Sequence, residues 1–98
     1  MTVAGGNGRG AAANQFDYPM HVIYMASTGN LIVTDTGNAR IQVWAPNATC
    51  GITVIRSQFL DPITSAFDAT GQNLYVVDKS GNTVKRFALI SANSICSK

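Results

Sequence analysis

Residues 31–44 read LIVTDTGNARIQVW. The first four are apolar and β-prone, residues 35–39 collect the turn formers Asp35, Gly37 and Asn38, and residues 40–44 alternate polar and apolar side chains. This is the pattern of a β-hairpin. Residues 74–87, LYVVDKSGNTVKRF, repeat it 43 positions later: Leu31 aligns with Leu74, Val33 with Val76, Asp35 with Asp78, Ile41 with Val84 and Trp44 with Phe87. A fixed spacing turns a local hairpin into a repeat.

The same offset relates Gln15, Phe16 and Pro19 to Gln58, Phe59 and Pro62, which mark the entry to each unit. A short strand follows each proline (21–25 and 64–68), then a turn (27–30 and 70–73), then the hairpin. After the first hairpin, residues 45–50 contain Pro46 and Asn47 and read as a loop, and residues 51–55 give a fourth strand. The spacing predicts an all-β chain of two four-stranded antiparallel units, 15–57 and 58–98, the last strand of the second incomplete. Residues 1–14 are expected to hold an end strand at Thr2, Val3 and Ala4 and a glycine-rich connection. Strands are centred near Val22, Val33, Ile41, Val54, Ala66, Val76 and Val84.

Continuous apolar runs at residues 22–24, 31–33 and 74–77 require burial on both faces of a sheet. A single four-stranded unit cannot supply that. Radial stacking of such units as blades, the β-propeller, does. Composition agrees with a packed fold: the chain has 98 residues, 46% hydrophobic and 12% charged, far from the profile of a disordered segment. Its net charge of +2 is scattered, with Lys85 and Arg86 the only adjacent basic pair, so neither nucleic acid nor a membrane surface is expected as a partner. No apolar run reaches the roughly 20 residues of a membrane span. Residues 1–10 are glycine-rich where a secretory signal needs an apolar centre, so a signal peptide would lie outside this chain.

The strings QFDYP, GNLIVTDTGNARIQVW and, less sharply, QFLDP and QNLYVVDKSGNTVKRF resemble NHL repeats. The resemblance covers nearly the whole chain in two units and implies blades of an NHL-type β-propeller. His21 stands at the usual glycine, Met25 at the usual first-strand aspartate and Thr83 where the first unit has Arg40. Two blades do not close a ring. Cys96, Ser97 and Lys98 followed by Met1, Thr2 and Val3 would nearly restore the strand formed by Cys50, Gly51, Ile52, Thr53 and Val54. Thr2 and Val3 are therefore expected in a sheet beside a strand of the second unit, in the same chain or a neighbouring copy. The chain then reads as a fragment of a longer repeat protein or as a self-assembling unit.

Candidate chemistry is sparse. The glycines of residues 5–10 lack the following helix that a phosphate loop needs, and read as a connection. Asp35 and Asp78, with Asn38 and Asn82, read as structural turn residues, the carboxylates accepting local N–H bonds. Arg40 reads as a partner for Asp35 or for loop carbonyls rather than as an anion site. His21 is the only histidine, too few for a histidine-based zinc site, and no serine triad can be drawn. No catalytic residue, metal ligand or cofactor site is expected.

Asn47-Ala48-Thr49 is an N-glycosylation sequon in the loop after Pro46. Cys50 and Cys96 suit an oxidising compartment, although free buried thiols are an equally simple account. In a regular propeller their equivalent positions lie on the order of 15 to 20 Å apart, against the 7 Å or so a disulfide tolerates. The expectation is therefore an intermolecular bridge or one to another blade. Three readings of function follow. The first is a non-enzymatic repeat module of a secreted, extracellular protein, a binding scaffold for a protein or glycan ligand. The second is a structural subunit joining further copies of itself, or further repeats of its parent chain, head to tail into a ring or filament by strand exchange. The third is a propeller lyase or hydrolase, which the missing histidines and carboxylates disfavour.

Overall fold

The computed structural model describes residues 1–56 and 62–88. Among the described residues, seven strands form two antiparallel sheets. The first has the order β1-β2-β3-β4, with β1 (Pro19–Met25), β2 (Asn30–Asp35), β3 (Arg40–Trp44) and β4 (Ile52–Arg56). The second has the order β5-β6-β7, with β5 (Pro62–Phe67), β6 (Asn73–Asp78) and β7 (Thr83–Ala88). Each is a simple meander. All seven expected strand centres fall inside strands, and among the described residues the only helical piece is the 3-10 turn Thr36–Asn38. The fold is all-β, consistent with two NHL-type blades. The fourth strand expected for the second unit falls at residues 96–98, and Gln58 and Phe59 of its entry at residues 58–59; both lie outside the described residues.

The repeat holds at the level of strand register. Pro19 pairs with Asp35 and Pro62 with Asp78, and each entry strand carries an irregularity two residues on, between Pro19 and His21 and between Pro62 and Thr64. Proline has no N–H to give to a ladder, so it sits at the strand start, where a bulge absorbs the missing bond. Leu31 faces Trp44 as Leu74 faces Phe87.

Alternation along the strands gives each sheet an inner and an outer face. Ile32 and Ile41 of the first sheet, with Ile55, form one buried cluster with Leu74 and Val76 of the second. Thr34 Oγ1 and Ser65 Oγ lie 3.4 Å apart across the same junction, and Thr36 Oγ1 donates to Pro62 O at 2.6 Å. The sheets thus stack face to face. Burial on the other two faces depends on what lies over them. On the first sheet the half formed by β3 is covered by the N-terminal segment, while Val22 and Tyr24 on β1 are 55% and 65% exposed.

Thr2, Val3 and Ala4 lie in no strand, which corrects the expectation that Thr2 and Val3 pair with the second unit within this chain. Gly5, Gly6 and Gly8 take positive φ, a region open to glycine at no steric cost, and turn the segment back onto the first unit. Asn7 Nδ2 donates to Asn14 O at 3.0 Å and Gln15 Nε2 to Asn7 O at 3.0 Å, closing the loop on itself.

Candidate functional site

Polar groups gather at the turn joining β2 to β3. Asp35 ends one strand and Arg40 begins the next, directly opposite in register, with a 3-10 turn between them. Ala39 closes that turn at φ 49, in the left-handed region. This geometry holds the Asp35 carboxylate at the centre of a donor set. Arg40 Nε donates to Oδ2 at 2.6 Å, Asn38 Nδ2 to Oδ2 at 2.8 Å and the Asp17 N–H to Oδ1 at 2.8 Å. Both charged side chains are buried, at 0% and 1% exposure.

Arg40 has further donors, and the N-terminal segment supplies their acceptors. Nη1 donates to Ala11 O at 2.9 Å, and Nη2 to Ala12 O at 3.1 Å and Gln15 O at 2.7 Å. Asn38 Nδ2 also donates to Gly10 O at 2.9 Å, and the Gly51 N–H donates to Ala13 O at 2.8 Å. Phe16 packs on Trp44 with ring centroids 5.4 Å apart. The planar guanidinium suits this task because its rigid fork serves several fixed acceptors at once. The segment is pinned to the outer face of the first sheet. No side-chain pattern announces backbone carbonyl acceptors, so residues 10–15 offered no signal of this role beyond their position.

The second unit shifts the Gly-Asn pair by one position. Asn82, at φ 53, occupies the left-handed position that Ala39 holds in the first unit, and Gly81 approaches the Asp78 carboxylate closely enough that a Cβ would lie 3.0 Å from Oδ2. Asp78 is 1% exposed, and Lys85 Nζ stands 3.8 Å from its Oδ2. Thr83 begins β7 in the place of Arg40. The two turns share a carboxylate position and differ in the cation that meets it.

The remaining candidates are dispersed. His21 lies half-buried on β1 opposite Thr34, and no group of three or more His, Cys, Asp or Glu side chains among the described residues could hold a metal. Asn47 is exposed, at φ 61, in the loop between β3 and β4. A groove of about 610 Å³ runs from this loop to the outer face of the first sheet, bordered by Val3, Tyr24, Leu31, Pro46 and Asn47.

Cys50 is disulfide-bonded. The chain has one other cysteine, Cys96, which lies outside the described residues. The expectation for the bridge, to another copy or another blade, involves Cys96 and so lies outside the described residues.

Residues 20–44 match the model of the NHL repeat. The chain carries an NHL repeat. The matched NHL segment runs from the second residue of β1 through the last of β3, and so includes the whole Asp35–Arg40 turn. Among curated proteins, none matches the chain. The NHL repeat supports a repeat module that serves as a scaffold, and in this structure its signature turn is occupied with holding its own polypeptide together.

Proposed function

We propose that this chain is a non-enzymatic NHL-type module of an extracellular protein, acting as a scaffold that binds other macromolecules through its uncovered sheet faces. The observation that carries this reading is the exposed stripe on β1 and just before it: Tyr18, Met20, Val22 and Tyr24 are 51% to 71% exposed. Contiguous apolar surface of this kind marks association rather than small-molecule chemistry. The charged groups that could have served catalysis, Asp35 and Arg40, are already engaged by each other and by backbone. The disulfide at Cys50 and the exposed sequon at Asn47 support secretion, since disulfides persist in oxidising compartments.

Replacing Tyr24 by benzoylphenylalanine in the secreted protein tests the scaffold reading. Irradiation is expected to give a cross-linked species of defined mass, removed by excess unlabelled chain; no cross-link would sink the reading. Glycosidase treatment of the secreted chain reads the glycan directly, and Asn47→Gln is expected to abolish the mass shift it produces.

A further inference from the structure

The 43-residue offset maps the two outer faces onto the two that are already in contact. Ile32, Thr34 and Ile41, on the inner face of the first sheet, correspond to Tyr75, Val77 and Val84 on the outer face of the second. Those three are 39%, 38% and 66% exposed. In the other direction, Ser65 and Phe67, on the inner face of the second sheet, correspond to Val22 and Tyr24. The outer face of the second sheet and the β1 part of the first sheet's outer face are repeat equivalents of surfaces that pack against each other inside the chain.

The residues that meet have changed together. Thr34 and Ser65 oppose each other at 3.4 Å as a hydroxyl pair; their equivalents are Val77 and Val22. Two polar groups on opposing faces are replaced by two apolar ones, Val77 close in shape to threonine and Val22 larger than serine, and both members gain from leaving water. A lone valine opposite a hydroxyl would leave that hydroxyl without a partner. The match therefore points to an occupant whose own face carries the complementary valine.

We propose that the outer face of the second sheet binds the outer face of the first sheet on another copy of this chain, with Val77 of one copy against Val22 of the next. The contact is heterologous, uses the β1 half of the first sheet's outer face that the N-terminal segment leaves open, and needs no exchange of strands. It rests on the scaffold reading and names the partner.

Sedimentation equilibrium on the full chain tests it with Val22→Lys and Val77→Lys, both at positions exposed in the single chain. Wild type is expected to form species larger than a dimer. Each variant alone is expected to stay monomeric at concentrations about 100-fold above the wild-type midpoint, about 2.7 kcal/mol per contact. An equimolar mixture is expected to return a complex of two chains and stop there, because each variant keeps the face the other lacks. Far-UV circular dichroism checks the fold, and Val84→Lys on the same face replaces Val77→Lys if that variant unfolds. A monomeric wild type overturns the proposal, as does a mixture that fails to pair or a single variant that still dimerises. A monomeric wild type whose Tyr24 probe cross-links to a different polypeptide removes the second copy and leaves the scaffold standing. Failure of both experiments removes both.

Discussion

Arg40 serves four acceptors, and removing it strands more than an ion pair. Arg40→Ala leaves the Asp35 carboxylate buried with one charged donor fewer and three carbonyls short of a partner. Loss of one member of a buried pair costs about 3–5 kcal/mol, and urea denaturation is expected to show a loss in that range. Arg40→Lys is expected to recover little of it, since an ammonium lacks the planar fork. The position immediately before β7 shows how the turn accommodates a left-handed residue: Asn82 takes it readily, while Ala39 does so at a steric penalty. Ala39→Gly is expected to raise stability by about 0.5–1 kcal/mol, the relieved strain exceeding the added freedom of the unfolded chain. Asp68 offers a pH test. Asn73 and Thr70 donate to its carboxylate, with the N–H groups of Asn73 and Gln72, and lower its pKa from 3.8 to about 2. The folded value lies below the unfolded one, so this contribution is complete above pH 3.8 and disappears as pH falls through about 2. Carboxyl NMR is expected to find that midpoint, and Asp68→Asn is expected to flatten the stability change across the same window.

The hairpins were legible in the sequence because everything that specifies them is local. Alternation, β-branched residues and turn formers all sit within fourteen positions, and the repeat supplies an independent second reading. Proline at the entry of each unit even marks the bulge. The N-terminal segment was not legible, because it docks through the carbonyls of Ala11, Ala12 and Gln15, which every residue possesses. The same holds at the loop into β4, where Gly51 N–H meets Ala13 O and the Trp44 indole donates to Gln42 Oε1 at 3.0 Å. A Cβ on Gly51 would overlap Trp44 Nε1 and lie 2.8 Å from Gln42 Oε1. Gly51→Ala is therefore expected to cost about 1–3 kcal/mol. Its signature is a red shift in the emission of Trp44, the only tryptophan, which is 2% exposed in the native state. An unchanged spectrum with unchanged stability would show that the loop yields freely.

At the scale of the molecule, the apolar runs call for burial on both faces of each sheet, and no sequence pattern can say what does the burying. Within this chain one face of each sheet is covered by the other. Half of one outer face is covered by residues 5–17, and the exposed valines and tyrosines mark the rest. Truncation separates the parts of the N-terminal segment. Removing residues 1–4, which form no strand, is expected to change stability by less than about 0.5 kcal/mol. Removing residues 1–15 withdraws the acceptors of Arg40 and is expected to cost about 1–3 kcal/mol by thermal or urea unfolding.

The hold of one guanidinium on carbonyls 25 to 29 residues away also gives the loop a measurable clock. Arg9 lies inside that loop with its side chain 80% exposed, yet a protease needs a stretch of backbone free of internal bonds before it can cut. Trypsin cleavage after Arg9 should then wait for the loop to lift from the sheet, at a rate set by the population of that opened form while the rest of the fold stays closed. Comparing nicking rates of wild type and Arg40→Lys would convert a set of static distances into the free energy of a local opening.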